Sequence, residues 1–156
     1  NDLMGEKNYS RYGAYSQSKL ANVLFANELQ NRLAAMNAET ISLSSHPGYA
    51  NTNLQDTSTS HSGSILERVI YLMGNSIFAQ SSAMGALPQL FAATAPEANG
   101  GDFIAPNFIG LRGYPKKSRA NQDAYNAEIA RRLWEVSEEL TGVHYAFPEE
   151  EIRATA

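Results

Sequence analysis

Tyr15-Ser16-Gln17-Ser18-Lys19 sets a phenol and an ammonium four residues apart. On a helix that spacing puts both side chains on one face, with Cβ atoms about 5–6 Å apart. A free phenol ionises near pH 10 and exchanges protons poorly at neutrality, but a cation beside it favours the phenolate. Such a pair suits passing a proton to or from a carbonyl or alcohol oxygen. Taken alone, the spacing fits an idle surface pair better than a catalytic one.

The elements around these residues decide between the readings. The first 14 residues show no sustained period and read as a loop. From Tyr15 to about Ala35 the stripe of Leu20, Val23, Leu24, Asn27 and Asn31, widened by Leu29 and Leu33, predicts a long helix with no glycine or proline inside it. Ile41 to Ser45 reads as a short strand stopped at His46-Pro47-Gly48. Thr52 to Ser64 is a polar loop, and Ile65 to Met73 a short amphipathic helix before Gly74-Asn75. A further helix is expected from about Ala79 to Ala95, kinked or starting late because of Pro88. Asp102 to Ala105 is a second short strand ending at Pro106, and Asn107 to Lys117 reads as irregular. Ser118 or Asn121 would cap a last helix running to Leu140, with Gly142 as its stop. Two short strands among four helices are too few for a parallel sheet covered on both faces. They look like the back end of an α/β domain.

In order along the chain, Tyr15-Ser-Gln-Ser-Lys19-Leu-Ala-Asn22, a strand, His46-Pro47-Gly48-Tyr49-Ala50-Asn51-Thr52 and Leu133-Trp134-Glu135-Val136-Ser137-Glu138-Glu139-Leu140-Thr141-Gly142 resemble the C-terminal half of the short-chain dehydrogenase/reductase family. The likeness is nearest to its retinol-dehydrogenase-like branch and covers almost all of residues 1–156. It implies the C-terminal part of a Rossmann-type doubly wound parallel sheet, belonging to a single domain. The expected pieces are a Tyr-Lys helix, a substrate lid, a last strand and a C-terminal helix. Tyr15 would be the general acid in carbonyl reduction and the base in alcohol oxidation. Lys19 would favour its ionised form and hydrogen-bond the nicotinamide ribose. Pro47, Gly48 and Thr52 would line the nicotinamide side of an NAD or NADP cofactor. The family's N-terminal half is expected to be absent from this stretch, because no G-x-x-x-G-x-G or G-x-G-x-x-G occurs in it. Nor is its catalytic serine or relay asparagine found ahead of Tyr15, with Ser10 too close to that helix. Activity is therefore not expected of these residues by themselves.

Composition bounds the alternatives. The 156 residues carry 12 basic and 16 acidic side chains, a net charge of −4, which argues against a partner that is a nucleic-acid backbone. There is no cysteine, so disulfides, thiol nucleophiles and thiolate metal sites are excluded. His46, His61 and His144 form no spaced ligand set, and no metal site is expected. Apolar residues at 43% suffice for a packed core. The longest apolar run, Val69 to Met73, falls far short of the roughly 20 residues a membrane span needs. No signal segment opens the chain, and a cytoplasmic location is expected.

Smaller features admit two readings each. Ile65 to Phe78 is a lid over a lipophilic substrate or a helix packed on the core. Arg112, Lys116, Lys117 and Arg119 are a solvated loop or an anion contact. His46 beside Ser44 and Ser45 is coincidence, since no G-x-S-x-G nucleophile elbow exists. The acidic Glu149 to Glu151 is a solvated end. The function expected is an NAD(P)-dependent oxidoreductase interconverting an alcohol and a carbonyl on a small, lipophilic molecule. A nucleotide-sugar epimerase or dehydratase, and a non-catalytic binding or assembly module, are the rivals. The resemblance implies a homodimer too, since in that family the Tyr-Lys helix often packs against a second subunit. Ala21, Val23, Leu24, Phe25, Ala26 and Leu33, nearly all round the first helix, are consistent with burial on more than one side.

Overall fold

The computed structural model describes residues 5–49, 79–145 and 147. They divide into two units, the first holding 5–44, 99–101, 120–145 and 147, the second 45–49, 79–98 and 102–119. The polar loop expected from Thr52, the segment from Ile65 to Phe78 expected as a helix or a lid, His61 and the acidic residues Glu149 to Glu151 lie outside the described residues.

The first unit is built on one long helix, α1 (Arg11–Ala35). It starts a turn earlier than the sequence pattern predicts, because Ser10 caps it. The Ser10 backbone is extended and its hydroxyl accepts from the Gly13 N–H at 3.3 Å. Gly13 therefore sits inside the first turn rather than in a loop. A 3₁₀ turn (Gln122–Tyr125) and a second helix, α3 (Ala127–Thr141), pack on α1. Asn121 caps the 3₁₀ turn, and Asn126 caps α3 by accepting from the Ile129 N–H at 3.1 Å. The expected single helix is thus split by a second cap. Gly142 ends α3 as expected, with φ at +67°.

Leu24, Ala124, Ala130 and Trp134 form the buried seam of this unit. Phe25 stacks on the Trp134 ring, centroids 5.0 Å apart and planes 9° from parallel. A carboxylate also lies in the seam: Glu28, paired with Arg32 at 2.9 Å. The Arg32 guanidinium in turn lies 4.6 Å from the centroid of the Trp134 ring. Asn27 donates to the Ala124 carbonyl at 2.8 Å. Ser42 is tied to α1 twice, its N–H donating to Gln30 Oε1 at 2.7 Å and its hydroxyl to the Ala26 carbonyl at 2.9 Å.

The sheet, of order β1-β2-β3, belongs to the second unit except for Ser44, the first residue of β1. Its strands are β1 (Ser44–Ser45), β2 (Phe103–Phe108) and β3 (Arg112–Ser118). The strand expected over Ile41 to Ser45 keeps only its last two residues. The segment expected to be irregular is β3, which runs antiparallel to β2, so the sheet is mixed. Pro106 does not end its strand; it is buried opposite Pro115, with a register slip before Phe108. Two prolines facing each other place two missing N–H groups together, and the bulge takes up the irregularity. Helix α2 (Ser82–Thr94), capped by Ser81, packs on β2 and β3. Its start at Ser82 still leaves Pro88 inside the helix, where the ring removes one backbone N–H, and that proline is fully buried with Ile104 and Pro106. The α/β class is as expected, with one more strand. No helix among the described residues is long and apolar enough to cross a membrane.

The segment after α3 is held by one carboxylate. Glu138 accepts from Trp134 Nε1 at 2.9 Å and from the Tyr145 N–H at 3.3 Å, and lies 3.6 Å from His144 Nδ1. Partial burial pushes its acidity the other way, but the bonds from Trp134, Tyr145 and His144 prevail and hold it below the ordinary glutamate range. A carboxylate depressed by folding stabilises above its unfolded value and loses that effect as pH falls through its folded one. Protection of the Tyr145 amide from hydrogen exchange should therefore persist at neutrality and fall away below about pH 4. Glu138→Gln should remove that pH dependence.

Candidate functional site

The Tyr15–Lys19 pair lies in the second and third turns of α1. Helix periodicity puts both on the stripe of Ser18 and Asn22, all exposed, while Leu24 and Glu28 are buried in the seam with Trp134. The Lys19 ammonium stands 5.4 Å from the centroid of the Tyr15 ring. Tyr15 is 57% exposed, so its phenol is open to a ligand. Ser18 turns its hydroxyl back onto the Tyr15 carbonyl at 2.7 Å, which leaves the phenol to other partners. The expected juxtaposition of phenol and ammonium is what α1 presents.

Pro47 and Gly48 belong to the second unit and form a strongly bonded turn. The His46 N–H donates to the Ile104 carbonyl at 2.8 Å, which fixes the turn to β2. The Gly48 N–H donates to His46 Nδ1 at 3.0 Å, so that ring nitrogen is an acceptor and His46 has a local structural task. The Tyr49 N–H reaches the Leu111 carbonyl at 2.7 Å. Gly48 has φ of +72°, and a Cβ there would run into the Leu111 carbonyl oxygen and stand 2.8 Å from Pro106 Cγ. In this turn the glycine is required by the β2–β3 connection that crosses it. Thr52, the remaining expected cofactor residue, lies outside the described residues.

Sequence reasoning missed Gln80. It precedes α2 rather than opening it, and it is buried at 5% exposure. Its carboxamide donates from Nε2 to the Pro47 carbonyl at 2.7 Å and accepts at Oε1 from the Gly113 N–H at 2.9 Å. Its own N–H reaches the Tyr49 carbonyl at 2.8 Å. A lone glutamine beside a helix carries no motif or period, so nothing local could have singled it out.

The basic group is not in a loop. Arg112, Lys116 and Lys117 are on β3, with Arg119 just beyond it, and Lys117 pairs with Asp102 at 2.7 Å. No cluster of acidic or histidine side chains among the described residues could hold a metal ion.

No protein-family model matches the chain. Among curated proteins it is similar to mouse retinol dehydrogenase 14, 30% identical over 142 residues, 91% of this chain and 39% of the relative. Mouse polyprenol dehydrogenase is 36% identical over 143 residues, 90% of this chain and 39% of the relative. A short-chain dehydrogenase/reductase of Armillaria gallica is 34% identical over 123 residues, 78% of this chain and 34% of the relative. The chain thus spans about two fifths of the length of the relatives first matched, within their C-terminal half. A crystal structure of an uncharacterized protein from Mycobacterium paratuberculosis superposes with a TM-score of 0.69 at 34% identity, over 94% of this chain and 45% of that one. This likeness extends the expected α/β class to a fold shared with a solved protein.

Gly48→Ala should destabilise the turn by at least about 2 kcal/mol, since the left-handed backbone and the Leu111 contact both oppose a Cβ. Chemical denaturation of the two proteins side by side measures it.

Proposed function

We propose, on the premise that this chain belongs to the short-chain dehydrogenase/reductase family, whose C-terminal half it matches, that it carries the proton-transfer residues of an NAD(P)-dependent oxidoreductase. The observation that carries the reading is the Tyr15–Lys19 pair, side by side and open to ligand near the N-terminal end of α1. Retinol and polyprenol, named in two of the relatives, are lipophilic alcohols, which supports a lipophilic alcohol or carbonyl as the substrate class.

The residues present fit a nicotinamide nucleotide by their donor chemistry. An exposed ammonium and an exposed phenol one helical turn apart match ribose hydroxyls and a substrate oxygen. The cofactor, when bound, supplies or accepts the hydride. Tyr15 gives its phenolic proton to the substrate oxygen in reduction and takes it back in oxidation. Lys19 stabilises the charge left on the Tyr15 oxygen and donates a hydrogen bond to the ribose. Pro47, Gly48 and Thr52 line the nicotinamide side in this reading, Gly48 within its fixed turn. Hydride transfer is the cofactor's chemistry; orientation and the proton are the protein's.

Tyr15→Phe in the native protein should lower kcat for NAD(P)H-dependent reduction of a lipophilic aldehyde by roughly 10²–10⁴-fold. Because Tyr15 is exposed, stability should change by no more than about 0.5 kcal/mol. Steady-state absorbance at the nicotinamide band, with a melting curve alongside, checks both. Turnover equal to that of the unsubstituted protein would remove Tyr15 from the chemistry.

A further inference from the structure

We propose that Gln80 is a positioning residue for the nicotinamide side of the site, acting through the Pro47-Gly48-Tyr49 turn. The inference rests on the oxidoreductase reading and adds to it a residue that touches neither substrate nor cofactor. Two carbonyls of the turn end on Gln80: Pro47 accepts from its carboxamide at 2.7 Å and Tyr49 from its backbone N–H at 2.8 Å. One residue thereby holds the carbonyls on either side of Gly48. The remaining amide oxygen is taken by the Gly113 N–H at 2.9 Å, which anchors the glutamine to β3.

That anchor is fixed by glycine geometry. Gly113 has φ of +103°, and a Cβ there would meet Asn107 Oδ1. The Gly113 N–H is thus delivered by a backbone state other residues rarely adopt. Gln80 is 5% exposed, and a polar group at that depth must be bonded or costs about 1–3 kcal/mol. Its requirement and that of the turn are met by the same two bonds. Only a side chain of this length with a donor and an acceptor at its tip bridges both. Glutamate keeps the acceptor for Gly113 and loses the donor for Pro47. Methionine has similar length and neither bond.

A turn so held presents the Gly48 backbone in one orientation. Without the carboxamide, the Tyr49 N–H keeps Leu111 and the Gly48 N–H keeps His46 Nδ1, but the Pro47 carbonyl loses the bond that fixes it. Any ligand that reads this backbone then has to reorder it on binding, which weakens affinity without altering the proton-transfer residues.

The test is titration of NADH and of NADPH into the native protein and its Gln80→Met and Gln80→Glu variants, followed by calorimetry. Kinetics of kcat and KM and thermal melting are run in parallel. The dissociation constant of the preferred nucleotide should rise roughly tenfold in both variants, as expected for one net hydrogen bond's worth of ordering. The KM for nucleotide should rise with it while kcat changes little. Variants that melt earlier yet bind the nucleotide within twofold of the unsubstituted protein would make Gln80 purely structural and overturn the proposal. If Gln80→Met does not fold, Gln80→Glu, which retains the Gly113 bond, decides it alone; if that variant does not fold either, the role is structural and the proposal is overturned. Failure of the unsubstituted protein to bind either nucleotide would instead defeat the oxidoreductase reading, and this inference with it.

Discussion

The buried side of α1 is the constraint on which the proposed chemistry depends. Leu24, Asn27 and Glu28 recur at helical spacing on the side that packs on the 3₁₀ turn and α3, where Asn27 bonds the Ala124 carbonyl. Once that stripe is fixed, 3.6 residues per turn leave Tyr15 and Lys19 together on the wet side. The seam tolerates a carboxylate because Arg32 neutralises Glu28 and spreads over the Trp134 ring. The same tryptophan bonds Glu138 and so helps hold the segment after α3. A single aromatic thus links α1, its internal ion pair and the chain beyond Gly142.

In the second unit the organising principle is backbone satisfaction rather than apolar area. Each polar backbone group of the Pro47-Gly48-Tyr49 turn that has been described is met by a specific partner: His46, Leu111 or the two ends of Gln80. The glycines at 48 and 113 are required by close approach of the β2–β3 connection and of Asn107. A turn built this way is stiff without being large. That is the property a backbone surface needs if it is to receive a flat, polar ring in one pose.

Local patterns made much of this legible. The long apolar period of α1, the Gly142 stop and the Pro-Gly turn each rest on residues within a few positions of one another, and each is where the pattern puts it. The position of Ser10 five residues ahead of Tyr15 speaks only against a strand-end catalytic serine; its reach to the Gly13 N–H is what makes it a cap. Strand β3 was missed for a deeper reason. Pro106, Gly110, Gly113 and Pro115 all signal turns locally, and only their pairing across the hairpin, with Pro106 opposite Pro115, reveals a strand. Gln80 is the extreme case, a residue whose importance lies wholly in partners 33 positions away on either side. Tertiary hydrogen bonds of that kind leave no trace in periodicity.

The central claim is that Tyr15 and Lys19 act as one proton-transfer unit, and a double-substitution cycle addresses it most directly. Turnover of NAD(P)H with a lipophilic carbonyl compound would be measured for the native protein, Tyr15→Phe, Lys19→Met and the double variant. Groups that work as a unit lose their function together, so the double variant should be no slower than the slower single one, within about a factor of three. Losses that multiply, leaving the double variant slower by the product of the two single effects, would show two independent side chains and contradict the account.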